Sequence, residues 1–207
     1  MKIKTAPLGE LGTNFYIVTD EASKKAFAVD PGADGETAVS LIKDTGCRLE
    51  YIILTHAHAD HIGALDFLKA EFPDVKIVIH TLEASSLSDD RYNLCSRFYM
   101  MSPKAKADIT VEDNDTLMLG ENKVKFLHTP GHTMGSMSIL TDEFLISGDT
   151  LFQGSIGRCD FPGGDYNTII NSIKTKLLVL DDNMTVYPGH GNPTTIEYER
   201  KHNPFLI

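Results

Sequence analysis

Tyr51-Ile52-Ile53-Leu54-Thr55-His56-Ala57-His58-Ala59-Asp60-His61-Ile62-Gly63 passes from an apolar, β-branched run into three histidines and an aspartate within six positions. The run 51–54 predicts a strand, and the apolar spacing of 62–68 suits a helix, so the polar cluster falls on a strand-to-helix turn. Such a cluster is costly to bury, because like polar groups do not satisfy one another. A cation resolves the conflict, since neutral imidazole and ionised carboxylate are ligands of zinc and its neighbours. In extended chain, residues two apart share a face, so His56 and His58 can hold one ion together. Asp60 and His61 come where the chain begins to coil and can aim at a second position. A lone aspartate here would be a helix N-cap and a lone histidine a core residue; four such residues together favour a metal site.

Upstream, residues 2–30 predict three short strands, with 14–18 and 26–29 flanking a polar hairpin turn and Asp30-Pro31-Gly32 closing the meander. Helical spacing over 36–43, with Gly46 as terminator, is followed by a strand over 49–54. Downstream, the helix after the cluster is expected to run to about Phe72, and 75–79 predicts another strand. Residues 81–110 mix aromatic, basic and thioether side chains, including Arg97-Phe98-Tyr99-Met100, without a clean period, so they read as a lid or as a packed connection. Strands are expected at 124–127, 138–140, 144–146 and 184–187, a helix at 166–180 capped by Asp165, and a terminal helix near 195–201. Thr129-Pro130-Gly131-His132, Ser147-Gly148-Asp149 and Pro188-Gly189-His190 each stand where a strand stops. Loops on a rigid scaffold are where chemistry is usually carried.

The 207 residues predict one domain, 1–207, with 29 acidic against 19 basic residues and a formal charge of −10. That charge disfavours nucleic acid as a partner, while bound dications would offset it locally for a small anionic substrate. Cys47, Cys95 and Cys159 are odd in number and lack CxxC spacing, which points to neither a disulfide framework nor a thiolate zinc site. With no leader-like segment and no run of membrane-spanning length, a cytoplasmic protein without a membrane partner is expected.

Five of the eight histidines, His56, His58, His61, His132 and His190, sit in turns beside Gly, Pro or Asp. With Asp60 and Asp149 they make seven candidate ligands, enough for two divalent ions, zinc first and iron or manganese as alternatives. His80 and His202 are expected to be solvated, and His128 either packs a strand end or backs a ligand.

The order H-x-H-x-D-H, P-G-H-T, S-G-D-T and P-G-H-G resembles the metallo-β-lactamase superfamily over nearly the whole chain. The resemblance implies an α/β (α+β) fold, an αββα sandwich of two mixed β-sheets flanked by helices, with the site on the edge where the sheets meet. It further implies one ion on His56, His58 and His132, a second on Asp60, His61 and His190, and Asp149 bridging. Gly157-Arg158-Cys159-Asp160 is similar to the G-R-x-D region of glyoxalase II-like hydrolases, especially the short bacterial type, with Cys where Thr is usual. Arg158 and Asp160 either back the site or stabilise a turn as an ion pair. Full-length glyoxalase II carries a helical C-terminal region that binds glutathione, whereas here only 191–207 follow the last ligand.

A water held between two dications gives a hydroxide near neutral pH, pKa about 7 in place of 15.7, with Asp60 orienting it. No general acid beyond the ligand set is evident, which favours a thiolate leaving group over an amide nitrogen. The expected function is therefore a thioesterase acting on S-acyl thiols such as S-lactoylglutathione. The alternatives are a mononuclear-iron persulfide dioxygenase using His56, His132 and Asp149, and a lactonase or esterase of the same superfamily.

Overall fold

The apolar runs alternate the direction of their side chains, and this alternation builds the layers of the computed structural model, which describes residues 1–98 and 100–207. β1 (Lys2–Leu8), β2 (Thr13–Asp20) and β3 (Lys25–Val29) form an antiparallel meander; α1 (Gly35–Lys43) then leads to β4 (Arg48–Leu54), parallel to β3. α2 (Ala59–Ile62) and α3 (Leu65–Glu71) precede β5 (Lys76–His80), and α4 (Asp90–Asn93) precedes β6 (Ile109–Val111). Next come β7 (Thr116–Leu119), β8 (Asn122–His128), β9 (Met137–Leu140) and β10 (Phe144–Gly148), then the small hairpin β11 (Leu151–Phe152) and β12 (Ser155–Ile156). α5 (Tyr166–Ser172), β13 (Thr185–Pro188), β14 (Thr194–Thr195) and α6 (Ile196–His202) complete the chain. Two mixed six-stranded sheets result, β1-β2-β3-β4-β5-β6 and β14-β13-β10-β9-β8-β7.

Residues of opposite parity on each strand enter different layers. Phe15 and Ile17 of β2, Ile52 and Leu54 of β4, and Ile77 and Ile79 of β5 pack outward with Ile42, Ile62, Leu65 and Leu68 of the helices. Their neighbours Tyr16, Val18, Ile53 and Val78 face inward and meet Val124, Phe126, Ile139 and Ile146 of the second sheet. Leu127, Leu145 and Val186 point out from that sheet against Ile169, Ile173, Leu177 and Ile196. No helix among the described residues is long and apolar enough to cross a membrane.

The helix expected to run unbroken to Phe72 is interrupted at Gly63-Ala64. The Ala64 N–H turns away from its helical acceptor to the Pro31 carbonyl at 2.9 Å, so the turn after β3 diverts the ladder. The helix expected over 166–180 leaves α geometry at Ile173, where a π turn runs to Leu177 and the Leu178 N–H reaches the Ile173 carbonyl at 2.9 Å. β6, β7, the β11–β12 hairpin and β14 are absent from the sequence reading; they are short, and several of their residues face solvent. In 81–110, Leu87 and Cys95 pack in the core beside the outward helices, and Tyr99 lies outside the described residues.

His80, expected to be solvated, is only 4% exposed. It ends β5, accepts the Leu82 N–H at Nδ1 (3.2 Å) and stacks on His128, at the end of β8, with ring centroids 4.1 Å apart and planes 15° from parallel. Burial first, and the facing His128 second, hold its pKa down at about 4. His202 is exposed.

Phe126→Ala, which empties the inter-sheet layer, is expected to cost about 3–5 kcal/mol, read from the urea midpoint. In the unfolded chain His80 takes up a proton near pH 6.5, but in the folded chain only near pH 4. Its contribution to stability is therefore lost as pH falls through that window. His80→Asn keeps an acceptor for the Leu82 N–H, and its Tm should drop less than wild type between pH 7 and pH 4.5.

Candidate metal centre

Strands of both sheets end at one edge of the sandwich, and every candidate ligand lies just beyond such an end. β4 delivers His56 and His58, the first turn of α2 carries Asp60 and His61, the loop after β8 carries His132, β10 delivers Asp149, and β13 delivers His190. Main-chain bonds join the sheets here: the Met137 N–H donates to the Thr55 carbonyl at 2.9 Å and the Asn14 N–H to the Gly189 carbonyl at 2.7 Å. Side chains reinforce the seam, with Asn14 Nδ2 donating to the Pro188 and Gly191 carbonyls at 3.0 and 2.9 Å. Two glycines make the approach possible. A Cβ at Gly189 would lie 2.0 Å from Asp149 Oδ1, and Gly148 adopts φ +52° where a Cβ would lie 2.6 Å from the Thr55 side chain.

All seven candidate ligands are brought together. His56 Nε2, His58 Nδ1 and His132 Nε2 converge, separated by 3.1, 3.2 and 2.9 Å. Nitrogens about 2.0–2.1 Å from one tetrahedral zinc stand roughly 3.3 Å apart, so the spacing suits a shared ion. Beside them His61 Nε2 lies 3.6 Å from Asp60 Oδ2 and 3.4 Å from Asp149 Oδ1, and His190 Nε2 lies 3.2 Å from Asp60 Oδ2 and 3.6 Å from Asp149 Oδ2. Asp149 Oδ2 is also 3.6 Å from His132 Nε2, which sets this carboxylate between the two groups. Three combinations bring their ligand atoms within 4.8 Å of one another: His56, His58 and His132; His56, His61 and Asp149; Asp60, His61 and His190. His61 Nε2 and Asp149 Oδ1 are buried without a hydrogen-bond partner among the described residues. Buried acceptor atoms left without a donor are what a cation would satisfy.

The outward-facing atoms set the ring tautomers. His132 Nδ1–H donates to the Arg158 carbonyl at 2.7 Å, His61 Nδ1–H to Asp30 Oδ2 at 2.9 Å and His190 Nδ1–H to the Leu11 carbonyl at 3.3 Å. Thr55 Oγ1 donates to Asp30 Oδ2 at 2.7 Å and so accepts from His56 Nδ1–H at 3.1 Å. Each of these rings therefore turns its Nε2 into the cluster, the arrangement found behind metal-binding histidines. Thr13 Oγ1 donates to Asp60 Oδ2 at 3.0 Å.

Burial, then the neighbouring rings His61 and His58, push His56 far below the usual imidazole range; burial and His132 bring His58 down to about 3, and burial lowers His132. These three are neutral, the state in which imidazole binds metal. Burial also works against protonating His61 and His190, but Asp149, Asp60 and Asp30 around the first, and Asp60 and Asp149 around the second, outweigh it. Burial works against ionising Asp60 and Asp149, yet His61 and His190 keep both carboxyls below their usual range, Asp149 at about 2. Protons on His61 and His190 thus balance the carboxylates, and a dication entering this group would displace them.

The cluster floors an open cleft of about 510 Å³ whose walls include Leu11, Leu94, Phe98, Phe152, Ile156 and Phe161. Residues 81–110 thereby contribute Leu94 and Phe98 to the cleft while packing Leu87 and Cys95 into the core. Arg158 and Asp160 form a two-pronged ion pair at the rim (2.8 and 2.7 Å), with Arg158 3.8 Å from the Phe161 ring centroid. Among the described residues neither side chain hydrogen-bonds a candidate ligand; it is the Arg158 carbonyl that holds His132. Cys159 is half-buried, its thiol donating to the Gly157 carbonyl at 3.3 Å. Sequence reading missed Asp30, Thr13, Thr55 and Glu83. Only Asp30 left a trace, as the polar residue that stops β3.

Comparison with known proteins agrees with this geometry. The family model described as the metallo-beta-lactamase superfamily matches residues 8–190. The chain is 36% identical to the hydroxyacylglutathione hydrolase GloC of Haemophilus influenzae over 100% of this chain and 98% of that one. Its structure is similar to that of the BLEG-1 B3 metallo-beta-lactamase, with a TM-score of 0.93, 39% identity and 99% of each chain covered. It is also similar to TTHA1623 in a di-iron-bound form, with a TM-score of 0.86, 33% identity, and 98% of this chain and 100% of that chain covered. The match over most of the length, on a two-sheet sandwich that gathers His and Asp groups able to hold divalent ions at one edge, shows that the chain belongs to the metallo-β-lactamase superfamily.

Proposed function

We propose that this metal-dependent hydrolase cleaves S-acyl thiols, with S-lactoylglutathione the first substrate to test. The observation that carries the reading is the make-up of the cleft. Apart from the cluster itself, the polar side chains lining it among the described residues are Ser155 and Arg158. Neither is a general acid near neutral pH, so a leaving group must depart without a delivered proton. A thiolate does so, being conjugate to a thiol of pKa about 8.5, whereas an amide nitrogen does not. Similarity to a protein named hydroxyacylglutathione hydrolase supports the same substrate class.

In this reading His56, His58 and His132 hold one ion, Asp60, His61 and His190 hold the other, and Asp149 faces both. Bound divalent ions acidify a water and polarise the acyl carbonyl. The chain's own part is to aim the lone pairs, through the outward bonds to Asp30, Thr55, Arg158 and Leu11, and to seat the acyl thiol against the apolar walls. Asp60, fixed by Thr13, lines the cleft and orients the attacking water. The His and Asp donors suit zinc, iron or manganese, and the similarity to a di-iron-bound protein makes iron worth loading beside zinc. Similarity to a B3 metallo-beta-lactamase favours a second reading, β-lactam hydrolysis. The cleft disfavours it, because the ring nitrogen must gain a proton as it leaves.

Zinc at about 1,000 times its Kd should stabilise metal-stripped protein by about 4 kcal/mol, seen as a rise in Tm that a chelator reverses. Asp149→Ala should lose ions and activity together; two ions per chain retained in that variant would contradict the shared carboxylate. Metal-replete wild type should hydrolyse S-lactoylglutathione with kcat/KM of about 10⁴ M⁻¹s⁻¹ or more, and Asp60→Asn should lose most of that rate. Nitrocefin turnover with no thioester turnover would select the β-lactam reading. Oxygen uptake on a persulfide, with one iron per chain, would select the dioxygenase.

A further inference from the structure

Glu83 is a buried carboxylate, 2% exposed, that lies outside the ligand cluster and pairs with no cationic side chain among the described residues. Its partners are two main-chain donors from loops of different sheets, together with the Thr133 side chain beside Gly135. Oε2 accepts the Ala57 N–H at 3.1 Å, and Ala57 is the residue between His56 and His58. Oε1 accepts the Gly135 N–H at 3.0 Å, and Gly135 belongs to the loop that carries His132. One side chain thus spans the gap between the two loops whose histidines converge.

The surroundings fix where that carboxylate stands. Glu83 ends the short turn Thr81–Glu83, whose first N–H acceptor is the His80 ring. The His80 ring stacks on His128, and His128 Nε2–H donates to the Met134 carbonyl at 2.9 Å. The loop 133–135 is therefore gripped on adjacent residues, by His128 at Met134 and by Glu83 at Gly135. Gly135 leaves no space of its own, since a Cβ there would lie 2.7 Å from Glu83 Cγ and 2.9 Å from its main-chain nitrogen. Burial pushes the Glu83 carboxyl above its usual range while the Thr133, Gly135 and Ala57 donors work against that, and a neutral isostere cannot make the same bonds here. Gln offers one oxygen, so its NH₂ would face one of the two N–H donors; Asp is one methylene too short to reach both.

We propose that Glu83 is a positioning residue for the metal centre: it sets the distance between the His56–His58 loop and the His132 loop, and so the affinity for the ion those three histidines share. This rests on the metal-site assignment above. The carboxylate touches no substrate and no ligand nitrogen, so its effect passes through the two peptide groups it holds.

The test is a zinc titration of metal-stripped, full-length protein against a chromophoric chelator, for wild type, Glu83→Gln and Glu83→Asp. Val18→Ala, which trims the inter-sheet core far from the site, serves as the control for general destabilisation. Loss of an outer partner of this kind weakens metal binding about 10–100-fold. Glu83→Gln should lose affinity for one of two ions by that factor and leave the other within about threefold, while Val18→Ala lowers Tm and keeps both affinities. Glu83→Asp, which retains the charge, should show the same selective loss, and it carries the test if the Gln variant does not fold. Wild-type affinity for both ions in either folded variant would overturn the positioning role and leave the metal assignment standing. Failure of wild type to bind zinc, iron or manganese would overturn both.

Discussion

Five imidazoles and two carboxylates converge at the edge of the sandwich with ring nitrogens and carboxylate oxygens facing one another, and the surrounding structure answers to that constraint. Ring nitrogens about 3 Å apart, turned toward one another, are not a stable arrangement in themselves. They are held by bonds on their far sides: His61 by Asp30, His56 by Thr55, His132 by the Arg158 carbonyl. Removing an outward bond frees the ring to rotate, and the convergence fails. The fold spends much of its precision on residues that never meet a substrate.

The scaffold makes that precision possible by burying both faces of each sheet. Strands β2, β4 and β5 each give one set of side chains to the outward helices and the other to the inter-sheet layer. Strand ends tied into two packed layers cannot drift independently. Across the seam the same logic recurs in polar form, with Asn14, Glu83 and the Met137 N–H all bonding from one sheet or its loops to the other. The π turn after α5 packs on the outer face of the second sheet, and Ser172 just before it donates to the Pro130 carbonyl, in the loop that carries His132, at 2.8 Å.

Much of this was legible in the chain. The three opening strands, β4, β5, β8, β9 and β10 follow from runs of Val, Ile, Phe and Leu whose alternation reports two buried faces. The helix capped by Asp165 was readable at its start, where the carboxylate accepts the Thr168 N–H at 2.7 Å, but not at its π turn, which local propensity does not encode. The break at Gly63 was hidden because the competing acceptor, the Pro31 carbonyl, is supplied from more than thirty positions away. His80 looked like a solvated strand end because its stacking partner lies on another sheet.

By itself the sequence determined the candidate metal ligands, the turns that carry them and the two-faced strands that hold those turns. These are properties of short windows: a period of two, a Pro-Gly turn, histidines on one face of an extended segment. Only the tertiary structure decided which nitrogen of each ring faces inward, that Arg158 contributes its carbonyl and not its guanidinium to His132, and that Asp30 and Glu83 stand behind the ligands. Apart from the Thr55–His56 bond, those contacts join residues 26 to 179 positions apart. A hydrogen bond is satisfied by geometry within about 3 Å, and no local pattern records which distant strand end will bring a partner that close.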